Sequence, residues 1–335
     1  MEPDPPRPGR APLGVTAAPF LTDPADSTLD LFRTADALGY DSAWVAEVNG
    51  PEAFSILGAA SQVTSNVALA TGVLPLQVRT PPLLAMAATS LQQITPSRDV
   101  IIGVGISSPV VAGDWHGAAY GHRPLSQVRE FVTLLRHCLS GEQVTFDGDF
   151  YNVRRFRLAA GPGPRRPRIV VGALGEAMLR LAGEVADGVL LNYIPADHVP
   201  WAVEQVHRGG DATIYANVHV GVGDRSLADR NARYDLFSYA VVDSYALSFA
   251  RAGFAAAVEE IRAAHRAGDR AAALGAVPDE MIDAIDIVGD ASVVHRAVQR
   301  YRDCGVDVPV IFPLTWGAVG RSALRSTLAA ARGAE

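Results

Sequence analysis

Several short groups of residues in this 335-residue chain place reactive side chains or bare backbone donors at the ends of apolar segments. Glu47 closes the stretch Ser42 to Glu47 and is the only carboxylate to end an early strand-like run. A carboxyl group there either exchanges protons with a ligand or pairs with an arginine such as Arg79 or Arg98, and the residue types leave both readings open. Gly103-Val104-Gly105, followed by Ser107 and Ser108, offers backbone N–H groups and hydroxyls to a phosphate or a ring carbonyl. Glycines so spaced serve tight packing equally well. Gly172-Ala173-Leu174-Gly175 lies between a strand and a helix and is the better anion candidate, because a helix N-terminus concentrates unpaired N–H donors. The alternative there is a plain turn.

Trp115 and His116 could close over a ligand as an aromatic and a titratable group, or simply lie in solvent. Tyr193 ends another strand, and Tyr239 and Tyr245 sit in FSYAVVDSYALSF, which reads as helix packing or as a hydrophobic substrate wall. His122, His137, His207, His219, His265 and His295 show no metal-ligand spacing, so no metal is expected. Cys138 and Cys304 are too few and too far apart for a disulfide framework. The sequence contains no lysine. Schiff-base chemistry, a P-loop and a lysine anchor for phosphate are therefore all excluded.

These groups need elements to carry them. Apolar runs at Leu13 to Phe20, Ser42 to Glu47, Val67 to Leu74, Asp99 to Val104, Arg168 to Val171, Gly188 to Leu191, Thr213 to Val222 and Val308 to Phe312 read as eight strands. Helical patterns separate them at Ser27 to Leu38, Pro51 to Thr64, Leu83 to Ile94, Leu125 to Leu139, Glu176 to Val185 and Val199 to Val206. Ser226 to Leu274 reads as a helical insertion together with the seventh helix, a short acidic helix starts at Pro278, and Val294 to Cys304 is the last long helix. Val144 to Val153 reads as a hairpin inserted outside this rhythm, and Ser107 to Arg123 as a loop. The alternation predicts an α/β fold, a (β/α)8 TIM barrel with insertions, since right-handed crossovers bury both faces of a parallel sheet. Residues 1–12 are a proline-rich tail and 13–335 one domain. No glycine-rich turn follows the first strand, which argues against a dinucleotide-binding doubly wound sheet.

In such a barrel the loops after the strands form the active mouth. That mouth would comprise Pro19 to Thr22, Ala46 to Pro51, Gly72 to Arg79, Gly103 to Trp115, Gly172 to Glu176, Leu191 to Tyr193, Val222 to Arg225 and Pro313 to Trp316. Hydrophobic residues at 49% supply a large core, and the net charge of −7 gives no field for nucleic acid. The basic cluster Arg154, Arg155, Arg157, Arg165, Arg166 and Arg168 is local. No apolar run is long enough to span a membrane, and MEPDPPRPGR lacks the apolar core of a signal peptide, so a cytoplasmic protein is expected.

Ala43-Trp44-Val45-Ala46-Glu47, ASQVTSNVALATGVLP, RTPPLLAMAATSLQQITPSRDVIIGVGISSPVVAGDWHG and PRIVVGALGEAMLRLAGEVADGVLLN together resemble the luciferase-like monooxygenase superfamily. The likeness continues through SYAVVDSYALSFARAGF and IVGDASVVHRAVQRYRDCGVDVPVIFP, so it spans nearly the whole chain from Leu13. GISSPVV and the double-tyrosine block look most like the branch that uses the deazaflavin coenzyme F420. The resemblance implies hydride transfer between F420 and a small organic substrate, with an FMN monooxygenase or a non-catalytic cofactor-binding protein as alternatives. It implies a cis peptide at Gly72-Val73 behind the deazaflavin ring, Gly105, Ser107 and Ser108 beside the ring, and Gly172, Ala173, Leu174 and Gly175 at the phosphate. It gives Glu47 the place of an acidic catalytic residue; Trp115, His116, Tyr193, Tyr239 and Tyr245, from the mouth loops and the aromatic stretch, are the candidates for the substrate pocket. Several relatives carry histidine at the next position, where this chain has Val48. A homodimer burying early-barrel helices is the assembly that the resemblance implies.

Overall fold

The computed structural model describes residues 10–17, 25–316 and 321–333. Eleven strands are seen among them: β1 (Gly14–Ala17), β2 (Ser42–Val45), β3 (Ala68–Pro75), β4 (Val100–Gly105), β5 (Val144–Asp147), β6 (Asn152–Phe156), β7 (Arg168–Gly172), β8 (Gly188–Leu191), β9 (Thr213–Val222), β10 (Asp286–Gly289) and β11 (Val308–Pro313). Eight of them, β1, β2, β3, β4, β7, β8, β9 and β11, pair in that order with parallel register. Contact between β11 and β1 closes the ring, giving the expected (β/α)8 barrel. β5 and β6 form the separate antiparallel hairpin expected from the aromatics around Asp147 and Gly148.

Side chains alternate across each strand, so one register parity fills the barrel. Trp44, Ala70, Ile101, Val170, Leu190, Tyr215 and Val310 form that inner cluster. Trp44 is fully buried, its ring 5.1 Å from that of Tyr215, and its indole N–H donates to Ser42 Oγ at 2.8 Å. The opposite parity packs outward against the helices in one continuous core. Residues two positions further along the same inward faces then line the barrel above the Trp44 layer: Gly72, Gly103, Gly172, Asn192, Asn217 and Phe312, with Gly105 and His219 one step higher.

Three features depart from the sequence reading. β10 was not anticipated; it pairs with β9 through Asp286 to Gly289, on the edge that β8 leaves free after Leu191. A terminal helix at Arg321–Arg332 follows the barrel, so Val294 to Cys304, which lies within the helix Ala291–Asp303 and its cap, is not the last. Its sequence RSALRSTLAAAR carries a helical signal in Leu324 and Leu328, spaced by four on one face, that the sequence reading did not use. Ser107 to Arg123 is not wholly loop, because Pro109–Trp115 winds into a π-helix capped by Ser108, whose Oγ accepts from Val111 N–H at 3.1 Å. Ala11 and Pro12, assigned to the tail, are tied to the barrel by Arg332 and Arg302, which donate to their carbonyls. Most of the tail, and the mouth segment Pro19 to Thr22, lie outside the described residues. No helix among the described residues is long and apolar enough to cross a membrane.

Candidate active site at the C-terminal mouth of the barrel

The Gly72-Val73 peptide is cis, as the resemblance implied, and the register between β3 and β4 shifts at this point between Thr71 and Leu74. A Cβ on Gly72 would stand 2.9 Å from Trp44 Cε3, one on Gly105 would meet Val73 Cγ2 at 3.0 Å, and one on Gly172 would meet Val73 Cγ1 at 3.2 Å. The ends of β3, β4 and β7 thus present Val73 and little else to the barrel interior. Gly172 packs closely against Val73, which would have to shift by a few tenths of an ångström to admit a Cβ. Gly175 differs, for a Cβ there would meet nothing within 4 Å. It is the N-cap of the helix Glu176–Val185 and no side chain caps that helix, so its first N–H groups are open.

Glu47 takes the salt-bridge option. Arg79 Nε donates to Glu47 Oε2 at 3.0 Å and Arg79 Nη2 to Oε1 at 2.5 Å, while Ala53 N–H donates to Oε1 at 3.0 Å. Glu52 completes the group by pairing with the same guanidinium. Burial opposes the charge on Glu52, but donors from Ser55, Phe54 and Arg79 outweigh it and hold its carboxyl down to about 2. Arg98 is not involved; it donates to Thr64 and to the Ser61 carbonyl. Both Glu47 oxygens are therefore spoken for, and the side chain braces the start of the helix Ala53–Val63. Replacing Glu47 with glutamine is expected to lower stability by about 1–2 kcal/mol, the scale of a lost charge-assisted bond when Glu52 still partners Arg79. Turnover per folded molecule should stay near wild type. A drop of a hundredfold or more at unchanged thermal stability would restore Glu47 to the chemistry.

His116 Nε2 lies 2.5 Å from the Val48 carbonyl, tying the π-helix to the end of β2, and Trp115 beside it is 51% exposed. Tyr193, Tyr239 and Tyr245 are brought together: the Tyr193 ring lies 3.8 Å from Tyr239 and 5.7 Å from Tyr245 between centroids. Tyr193 adopts φ 48°, uncommon outside glycine, and its hydroxyl donates to Asp235 Oδ2 at 2.7 Å.

Beneath these rings lies a polar network that the sequence reading did not assemble. Asn192 Nδ2 donates to Tyr245 Oη at 3.1 Å, and Asn217 Nδ2 donates to Asn192 Oδ1 at 3.0 Å. His219 Nε2 is 3.3 Å from Asn192 Oδ1, and its Nδ1 is 3.1 Å from Asp286 Oδ1. The ring stacks on Phe312 at 4.4 Å. Asn192 Oδ1 can only accept, so Nε2 carries a proton, and a single proton is shared between Nδ1 and Asp286. Burial sends the pair toward its neutral form, His219 down to about 4 and Asp286 well above the usual carboxylate range. Burial first, then the neighbouring Asp286, raises Asp235 to about 7 against the opposing pull of His219 and the Tyr193 hydroxyl. His219, Asp235 and Asp286 each bring one atom within 4.8 Å of the others, a spacing open to a cation. Each of the three holds a hydrogen bond in the network, Asp235 from Tyr193 and His219 with Asp286, while Asp286 Oδ2 is buried without a partner.

A signal for this network was present in TIYANVHVGV, where Asn217 and His219 interrupt an otherwise apolar strand at same-face positions. A buried polar pair at period two needs partners.

A closed parallel barrel with a polar, aromatic-roofed floor at its C-terminal end is the plan of a (β/α)8-barrel enzyme. The profile of the luciferase-like monooxygenases matches residues 7–308, and the chain belongs to that family of enzymes. The 5,10-methylenetetrahydromethanopterin reductase of Methanolobus tindarius is 30% identical over 301 residues, covering 85% of this chain and 89% of that protein. The coenzyme F420-dependent tetrahydromethanopterin reductase of Methanopyrus kandleri shares the fold with a TM-score of 0.77 at 23% identity, covering 96% and 98% of the two chains. The FMN-bound oxygenating constituent of 3,6-diketocamphane monooxygenase from Pseudomonas putida superposes with a TM-score of 0.67 at 18% identity, covering 96% of each chain.

Proposed function

We propose that the protein is an F420-dependent oxidoreductase acting on a small organic substrate. The observation that carries this reading is the cluster of glycines, Gly72, Gly105 and Gly172, that packs closely around Trp44 and Val73 at the C-terminal ends of β3, β4 and β7 and keeps other side chains off that face. When bound, the deazaflavin supplies two-electron hydride chemistry. The protein's part is to seat the ring on Val73, close the mouth with Tyr193, Tyr239 and Tyr245, and present polar groups from Asn192 and Asp235. Gly105, Ser107 and Ser108 fall beside that face at the end of β4. With no lysine in the chain, the cofactor phosphate is received by the open N–H groups of Gly175 and the first turn behind it, next to Gly172, Ala173 and Leu174. Similarity to the Methanolobus reductase and the closer superposition on an F420-dependent fold than on the FMN-bound one support the deazaflavin over FMN.

Gly175→Asp separates a phosphate seat from an ordinary cap. Aspartate is a good N-cap residue, so the variant should be as stable as wild type or more stable by several tenths of a kcal/mol. Its charge would face the cofactor phosphate, and F420 affinity should fall by tenfold or more. Unchanged affinity, measured by deazaflavin fluorescence, would put the phosphate elsewhere.

A further inference from the structure

The Asp235 carboxyl, carried on the helix Arg225–Ala240, has one oxygen held by Tyr193. No hydrogen bond among the described residues occupies its other oxygen, and the side chain keeps part of its surface accessible, whereas His219 and Asp286 behind it are sealed. Among the described residues no arginine pairs with it. Arg225 and Arg233 on the same helix are engaged by Asp229, Asp279 and Asp283. Arg270 lies over Tyr234 and Phe237, Arg262 pairs with Asp243, and His265 meets the Phe237 ring edge. The groups that face Asp235 are Tyr193, Tyr239, Tyr245, His219 and Asp286. A half-open carboxyl backed by an already neutral His–Asp pair, at the roof of the barrel floor, is built to gain and lose a proton.

We propose that Asp235 is the general acid and base of the reaction, exchanging a proton with the substrate atom next to the carbon that gains or loses hydride. This rests on the reading of the mouth as a deazaflavin site. In the reducing direction the substrate π bond breaks and a C–H bond forms at carbon, with both electrons coming from reduced F420. The Asp235 O–H bond breaks and its proton goes to the heteroatom, leaving a carboxylate that recovers a proton from water through its accessible oxygen. The substrate class is therefore a polarised double bond, a ketone, imine or conjugated enone, and in reverse an alcohol or amine.

Two measurements decide it. Difference proton titration of the cofactor-free protein against Asp235→Asn should show one proton per chain released near neutral pH, and Tyr193→Phe, which removes the donor favouring the carboxylate, should move that midpoint upward. Single-turnover oxidation of reduced F420 with a panel of small ketones, imines and enones should slow by about 10² to 10⁴ in Asp235→Asn, with F420 affinity within twofold and recovery in Asp235→Glu. No titrating group, a rate within tenfold of wild type, or F420 bound with no panel member reduced would each overturn the proposal. So would a divalent ion that copurifies at one per chain and is lost in Asp235→Asn. Failure to bind F420 at all would overturn the underlying reading and the proposal with it; the titration, which needs no cofactor, tells the two failures apart.

Discussion

Asp235→Asn is expected to make the protein more stable than wild type at alkaline pH. The folded state holds Asp235 protonated up to about 7 because of burial and of Asp286 beside it, while the unfolded chain releases that proton near its ordinary value of 3.8. A carboxyl with a raised folded value contributes stability that is present below the unfolded value and is lost as pH rises through the folded one. Between those limits lie about three pH units at 1.36 kcal/mol each, so the loss is on the order of 4 kcal/mol by pH 8. Asparagine keeps the shape and does not ionise. Thermal unfolding from pH 5 to pH 9 should show the two proteins close at the acid end, with the variant melting several degrees higher at the alkaline end. Parallel curves would mean that Asp235 is solvated and unperturbed. The His219–Asp286 pair should contribute little slope from about pH 4 to 6.5, because folding only transfers one proton from imidazole to carboxyl. Above that window the pair also loses stability, equally in both proteins.

Trp44→Ala is expected to cost about 3–5 kcal/mol, the range for deleting a buried tryptophan, and to lower the melting temperature by roughly 4–7 °C. Trp44 is fully buried, plugging the barrel beneath Val73, and Gly14 and Gly72 leave space for its ring. Its loss opens a void directly under the proposed cofactor floor, so F420 affinity should fall along with stability. A cost below about 1 kcal/mol would show that the inner layer collapses onto Tyr215 and does not need the indole.

Much of the scaffold was legible because β-branched runs bounded by turn residues leave little choice. Gly188–Leu191, Thr213–Val222 and the helix Glu176–Val185 fall where their patterns place them. β10 was not legible: Asp286-Ile287-Val288-Gly289 is four residues long and opens with an acid, and only pairing with β9 makes it a strand. That register is also what sets Asp286 opposite His219, 67 positions apart in sequence. Local geometry was legible, as in the cis peptide at Gly72-Val73 and the helix start at Gly175, whereas the polar network assembled from β8, β9, β10 and an inserted helix was hidden. Glu47 shows the converse. It lies just beyond the end of β2, but the partner that decides its role, Arg79, comes from the loop after β3, and composition alone could not choose between an arginine such as Arg79 or Arg98 and a ligand.

Titrating the purified protein with F420 and, separately, with FMN, each followed by fluorescence, asks whether the mouth holds a deazaflavin. Saturable binding of F420 at one per chain, with FMN at least tenfold weaker, is the predicted result. Tight binding of FMN with no saturable change for F420 would contradict it.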